Sequence, residues 1–284
     1  MQALEYCQFK AEQSGSSFLA GFRFLPKPKR EAMMVLYAYC RELDDVVDDC
    51  TDATVAAKTL DWWRLELAKA FNANAAPEHP ITQALRPVAA VFRLPESEFT
   101  EIIDGMYMDL AQTRYATFDD LRVYCRRVAG AVGCLIARIL GFSEPQTLQY
   151  ADHLGLALQL TNIIRDVGED ARLGRIYLPL EDLQHFDVPA TVILNTNHGN
   201  AAFTKLMQFQ VERARACYRE SIALLPAVDV RKQKAGLIMG AIYYALLREI
   251  DADGAGNVLH HKLALPGRRK LSIALKTWLW GFKP

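Results

Sequence analysis

Apolar residues recur at three- and four-residue spacing through nearly every segment of the chain, and runs of alternating β-branched residues are absent. The pattern predicts helices from end to end and no strands. Proline, glycine and polar clusters place breaks at Pro26 to Pro28, Asn72 to Pro80, Leu94 to Glu96, Gly141 to Pro145, Gly174 to Pro179, Asn195 to Asn200, near Pro226, and at Pro266 to Gly267. They divide the chain into about ten helical pieces of ordinary length. No break resembles an interdomain linker and no fixed period repeats, so residues 1–284 read as one domain. Long apolar stretches such as Leu154 to Ile164, broken by Gln159, Thr161 and Asn162, fall short of a membrane span and suit a buried core helix better.

Composition narrows the partners. Half of the residues are hydrophobic and under a quarter are charged, enough for a sizeable core. The 33 Lys and Arg balance the 33 Asp and Glu, so no global field steers the chain to nucleic acid, and charge must act through local clusters. Cys7, Cys40, Cys50, Cys125, Cys134 and Cys217 form no CxxC pair, and MQALEYCQFKAEQSG is unlike a secretory or transit leader. Free thiols and a cytoplasmic location are expected.

Two segments carry acids along otherwise apolar helices. In REAMMVLYAYCRELDDVVDD (Arg30 to Asp49), Tyr37, Arg41, Asp44 and Asp48 share one helical face, with Asp45 beside it. Asp44 with Asp48, and Asp45 with Asp49, are like charges one turn apart, near a helix C-terminus that disfavours negative charge. A bound cation resolves the conflict. Carboxylates without His or Cys suit a hard, oxygen-seeking ion such as Mg²⁺, which keeps waters and takes phosphate oxygens; the plain alternative is a solvated acidic helix end paired with Arg41.

The second segment is LGLALQLTNIIRDVGED (Leu154 to Asp170), in which Gln159, Asn162, Asp166 and Asp170 make one polar stripe against an apolar opposite face. Facing a core, such a stripe needs partners, and a shared metal and diphosphate site supplies them. Arg165, Arg172 and Arg175 add the guanidinium forks that match phosphate oxygens. Arg165 with Glu169 as an i,i+4 surface pair is the competing reading.

At these residues the chain resembles the squalene and phytoene synthase family, through GSSFLAGFRFLP, LYAYCRELDDVVD, IIDGMYMDL, YCRRVAGAVG and LQLTNIIRDVGEDARLGRIYLP. IIDGMYMD, GRIYLP and the tail RRKLSIALKTWL are most similar to the bacterial presqualene diphosphate synthases of hopanoid pathways. The resemblance implies an all-α isoprenoid synthase (class I terpenoid synthase) bundle around a central cavity. The activity it implies is Mg²⁺-dependent head-to-head condensation of two farnesyl diphosphates to presqualene diphosphate, with release of pyrophosphate. Phytoene, dehydrosqualene or squalene synthesis are the alternatives, and a non-catalytic relative in complex assembly is a further one.

By the same resemblance, Asp44, Asp45 and Asp48 would form the first metal motif and Asn162, Asp166 and Asp170 the second, holding two or three Mg²⁺ ions. Ser17, Arg41, Arg165 and Arg175 would hold diphosphate. Tyr124 would lie near the reacting carbons, Gln159, Tyr37, Tyr177 and Tyr243 in the pocket, and Asp104 would give a further polar contact. Phe18, Phe22, Val132, Ile136 and Leu158 resemble the prenyl tunnel lining, though periodicity alone reads them as core. NADPH is not indicated, since no Gly-x-Gly-x-x-Gly follows a strand, but the family binds nicotinamide without that motif. The tail Arg268 to Phe282 sets Arg268, Arg269, Lys270 and Lys276 beside Leu271, Leu275, Trp278, Leu279, Trp280 and Phe282, as an interfacial helix at the inner membrane face would. A terminal helix docking its aromatics on the bundle fits the pattern equally. The adjacent His260 and His261 read as surface residues. Oligomeric state is not legible.

Overall fold

A computed structural model describes residues 2–13, 25–50, 52–195 and 200–284. Among them run helices α1 (Ala3–Gln13), α2 (Lys27–Asp48), α3 (Ala53–Phe71), α4 (Pro80–Phe92), α5 (Glu96–Ala111), α6 (Phe118–Cys125), α7 (Ala131–Leu140), α8 (Gln146–Arg172), α9 (Leu180–His185), α10 (Ala190–Leu194), α11 (Ala201–Leu224), α12 (Lys234–Gly254) and α13 (Gly267–Trp280). A π-helical turn, Arg126–Gly130, joins α6 to α7 without a break, and a 3₁₀ turn, Ala255–Leu259, follows α12. The bundle is all-α: the only β pairing among the described residues is an isolated bridge between Arg114 and Ile176.

Local chemistry explains the boundaries. Pro26 precedes α2, where a proline-fixed backbone starts a helix without losing a bond. Asp52 caps α3 by accepting from the Thr54 and Val55 amides at 2.8 and 3.3 Å. Thr117 and Asp120 form a reciprocal capping box on α6. Three interruptions are not expected from the sequence: Asp49 to Asp52 and Gln112 to Thr117, which lack the Pro or Gly of the expected breaks, and Phe186 to Pro189 between α9 and α10.

The second of these shapes the site. The segment after α5 runs alongside the segment after α8, with the Ile176 amide donating to Thr113 O at 3.1 Å, the Leu180 amide to Tyr115 O at 2.9 Å and the Glu181 amide to Ala116 O at 3.1 Å. Tyr115, Arg175 and Tyr177 are thereby held beside the end of α5.

Two apolar clusters form the core. One gathers around α8, α11 and α12 (Phe203, Met207, Tyr218, Ile238, Leu247), the other around α2 to α5 and α7 (Tyr39, Leu43, Trp63, Leu67, Phe99). Val128 and Leu158 pack against both, so the seam between the clusters runs past these two side chains. At the seam α7 and α8 press together through glycines. A Cβ on Gly133 would come within 2.5 Å of Ala151 O, and one on Gly155 within 2.6 Å of Ala129 O. That approach tolerates no side chain. All six cysteines are free thiols, and no described helix is long and apolar enough to cross a membrane.

Candidate active site: two acidic helices at the mouth of an apolar cavity

The seam opens into a cavity of roughly 1080 Å³, counted with its open mouth. Its walls are largely aliphatic: Met33 and Leu36 of α2, Val128, Val132 and Ile136 of the π turn and α7, Leu154 and Leu158 of α8, and Met239 of α12. At one end the polar residues Tyr37, Asp44, Gln159, Asn162 and Tyr243 enter the lining. Both acidic segments therefore face one space, Asp44 from α2 and Asn162 from α8. Of the residues expected in the pocket, Tyr37, Val132, Ile136, Leu158, Gln159 and Tyr243 lie on its wall. Ser17, Phe18 and Phe22 lie outside the described residues.

The carboxylates divide by environment. No hydrogen-bond donor among the described residues reaches the Asp44 or Asp170 carboxylate. Burial, then the neighbouring Asp48, push Asp44 up to about 7; burial, then Asp166, push Asp170 up to about 7. Asp109, at the end of α5, connects the two sides: its charge adds to the raised pKa of both, and its own is pushed up to about 6 by burial. Arg175 sits within this acidic ring, 3.5 Å from Asp48. Asp48, Asp109 and Asp170 thus surround one guanidinium.

Asp109, the aspartate near the end of IIDGMYMDL, is a functional residue that the helical pattern does not single out. It accepts hydrogen bonds from Tyr124 Oη at 2.9 Å and Tyr177 Oη at 2.7 Å, one on each carboxylate oxygen. The Tyr124 and Tyr177 rings stack at 5.3 Å, and Tyr115 completes the group at 5.5 and 5.9 Å from them. Asp104, expected to give a further polar contact, does not line the cavity. Five residues before Asp109, Asp104 points to another side of α5 and pairs with Arg64 at 2.6 Å, away from the cavity.

Two residues of α2 expected in the site also pair with each other. Asp45 turns to the outer side, where it pairs with Lys10 at 2.8 Å and Arg41 at 2.6 Å. Arg41 is engaged there too, and reaches the site through its field on Asp44. On α8, Arg165 does not pair with Glu169 as a surface couple. It forks onto Asp166 at 2.7 and 2.5 Å, while Lys262, which lies outside both acidic segments, bonds Asp166 at 3.1 Å and Glu169 at 2.6 Å. His260 and His261 are exposed, and His261 pairs with Asp253 at 3.0 Å.

The donor set fits a hard cation. Asn162 Oδ1 is buried without a hydrogen-bond partner, while its amide nitrogen donates to Gln159 Oε1 at 3.3 Å. An orphaned carbonyl oxygen beside carboxylates with raised pKa values is a site lacking positive charge. No three His, Cys, Asp or Glu side chains among the described residues close on a single point. Mg²⁺ does not need them to, because it completes its octahedron with water and phosphate oxygens.

The squalene/phytoene synthase family model matches residues 11–269. The chain belongs to the squalene/phytoene synthase family. Like other members, which are isoprenoid prenyltransferases, it has relatives on more than one branch. It is 36% identical over 283 residues to a phytoene synthase of Arthrospira platensis, covering 94% of this chain and 89% of that one. It is 38% identical over 245 residues to a presqualene diphosphate synthase of Rhodopseudomonas palustris, covering 84% and 85%. A dehydrosqualene synthase crystal structure in complex with ligand superposes with a TM-score of 0.87 at 29% identity, over 99% of this chain and 97% of that one.

Proposed function

We propose that this synthase joins two molecules of farnesyl diphosphate head to head, releasing one pyrophosphate and yielding presqualene diphosphate. The observation that carries the reading is the entry of Asp44 and Asn162, one from each acidic segment, into the lining of an otherwise apolar cavity, with Asp109 acting electrostatically on both Asp44 and Asp170. A diphosphate ester with a long hydrocarbon tail matches both halves of that space. Family membership and the 38% identical presqualene diphosphate synthase support it.

Asp44, Asp48, Asn162, Asp166 and Asp170 would hold Mg²⁺, which supplies Lewis-acid stabilisation to the leaving pyrophosphate. Arg175 and Arg165 add fixed positive charge where negative charge grows on the bridging oxygen. In the bond changes, the C1–O bond of one substrate breaks with its electron pair leaving on pyrophosphate. The double bond of the other attacks that carbon, and loss of a proton closes the cyclopropane. Leu36, Val132, Ile136 and Leu158 keep water from the allylic cation. Tyr124 and Tyr177 stand behind the mouth rather than on the wall. They hold the Asp109 carboxylate fixed through two hydrogen bonds, which orients the acidic ring.

A second reading, phytoene or dehydrosqualene synthesis, has its own observation: the phytoene synthase relative aligns over 94% of the chain against 84% for the presqualene diphosphate synthase. The retained carboxylates weigh against a non-catalytic assembly factor. Incubating the purified protein with farnesyl or geranylgeranyl diphosphate and Mg²⁺, with and without NADPH, and identifying products by mass spectrometry tests all of these. Presqualene diphosphate from the farnesyl substrate is the expected outcome; a C40 product, or squalene only with NADPH, selects the alternatives.

A further inference from the structure

Helix α13 faces two ways. Its inner face buries Ala274 and Thr277, and Lys234 of α12 fastens it by donating to Trp278 O at 2.7 Å while lying 4.7 Å from the Trp278 ring centre. Phe282 packs edge-on to Tyr244 at 5.8 Å and Tyr218 at 6.3 Å. Docking on the bundle is satisfied by these side chains. The outer face keeps a ridge of Leu271, Leu275 and Leu279 at successive i+4 positions, exposed by 60, 54 and 59%, with Trp280 at 75%. This 14-residue helix holds four of the thirteen exposed large hydrophobic side chains among the described residues, a concentration that marks an interaction surface.

The charge around that ridge is one-sided. Residues 254–284 contain Lys262, Arg268, Arg269, Lys270, Lys276 and Lys283 and no Asp or Glu, in a chain whose total charge is zero. Lys262 and Arg269 are engaged by acids outside the segment, Glu169 and Glu249. Arg268 and Lys276 flank the leucine ridge on the exposed side, and Lys283 is exposed beyond it.

We propose that α13 lies in the plane of an anionic lipid bilayer, with Leu271, Leu275, Leu279 and Trp280 in the acyl boundary and Arg268, Lys276 and Lys283 on lipid phosphates. Fourteen residues make a rod of about 21 Å, suited to lying flat and too short to span. A second copy of the chain is the competing occupant. Packing this ridge on itself about a twofold axis would bring its cationic flanks near their own copies, whereas an anionic surface attracts them.

The placement also relates the bilayer to the cavity. Gly236 and Met239 of α12 line the cavity, and Gly240, the next residue, faces Phe282: a Cβ there would meet a Phe282 ring carbon at 3.2 Å and Leu154, itself a cavity residue, at 3.1 Å. One helix thus separates the greasy wall from the membrane-facing tail. Membrane binding stands whichever prenyl product the cavity makes.

The test is cosedimentation of the full chain with phosphatidylglycerol/phosphatidylethanolamine vesicles and with pure phosphatidylcholine vesicles. Binding to the anionic vesicles is expected to exceed binding to the neutral ones at least about tenfold and to weaken in 0.5 M salt. The double variant L275E/L279E should lose at least about tenfold in partition while keeping its melting temperature and its turnover of detergent-dispersed substrate. Lys276→Glu, which leaves the ridge intact, should weaken anionic binding alone. Equal binding to both vesicles, no binding, or undiminished binding by L275E/L279E overturns the proposal. So does a dimer of the wild-type chain that L275E/L279E converts to monomer, which assigns the ridge to a second copy.

Discussion

Two kinds of carboxylate sit inside this bundle, fully buried and half-buried, and their surroundings separate scaffold from site. Glu66 accepts from the Glu78 and His79 amides at 2.8 and 3.0 Å and from Thr82 Oγ1 at 3.0 Å. Asp229 accepts from the Ser143 and Glu144 amides at 2.7 and 2.9 Å and from Thr147 Oγ1 at 2.8 Å. Although burial opposes them, these donors, with Lys69 and Lys232 alongside, hold both carboxyls down to about 2. Asp44 and Asp170, half-buried, have no such donors, and burial, then the neighbouring Asp48 and Asp166 respectively, move them up to about 7. A carboxylate that completes a fold is met by fixed N–H groups. One kept for a mobile ligand is left with its charge uncompensated.

The hardest test of the contrast is Asp44→Asn. Turnover should fall by at least about a hundredfold, the scale of losing one preorganised electrostatic partner of the leaving group. Thermal stability should hold or rise at pH 8, because a repelling buried charge has gone. Asp45→Asn removes a partner of Lys10 on the outer side and should cost under about tenfold in turnover. Equal losses in the two variants would place Asp45 in the site. Product formation and melts on both proteins give the answer.

Asp229→Asn should show the reverse signature. An amide nitrogen cannot accept from the Ser143 and Glu144 amides, so a buried donor is orphaned and the start of α8 loosens. Denaturant unfolding should report a loss of about 2–4 kcal/mol, with specific activity of the folded fraction unchanged. A neutral effect on stability would break the distinction between the two classes.

Acidity separates them again. For Glu66 and Asp229 the folded pKa lies below the unfolded one, so their contribution is present above about pH 4 and is lost as pH falls toward 2. For Asp44 and Asp170 the folded pKa lies above the unfolded one, so the folded state binds the extra protons between about pH 4 and 7. Their effect is a stability that declines as pH rises through that window. Allowing for solvent at the mouth, the decline should be about 1–2 kcal/mol in all. Melts at pH 5 and pH 8 measure it, and Mg²⁺ with pyrophosphate should raise the melting temperature more at pH 8. Ligand stabilisation independent of pH would disconnect these acids from the site.

The legible part of the molecule is the part encoded by periodicity. Helices, most of their breaks, and the alignment of Gln159 with Asn162 and of Tyr37 with Asp44 follow from 3.6-residue spacing. Rotation within a motif was harder: Asp44 and Asp45 are about 100° apart on α2, and only packing of α1 decides which meets Lys10. Lys262 was invisible because it follows the 3₁₀ turn and reaches Asp166 across 96 residues of chain. Asp109 was hidden for a related reason. Its importance arises where the loop after α5 runs beside the loop after α8, a pairing between two irregular segments that no single-helix pattern records.

The smallest effect tests that last point. Asp104 and Asp109 sit five residues apart on α5, and residue type alone does not tell them apart. Asp104→Asn breaks only the half-exposed pair with Arg64 and should cost less than about 1 kcal/mol in unfolding free energy, with turnover and substrate KM unchanged. Asp109→Asn, in the same assay, should lower turnover, because Tyr124 and Tyr177 would share an acceptor with one oxygen in place of two. If Asp104→Asn impaired turnover as much as Asp109→Asn, the outer face of α5 would have to reach the chemistry, and the assignment of the acidic ring to Asp48, Asp109, Asp170 and Arg175 would fail with it.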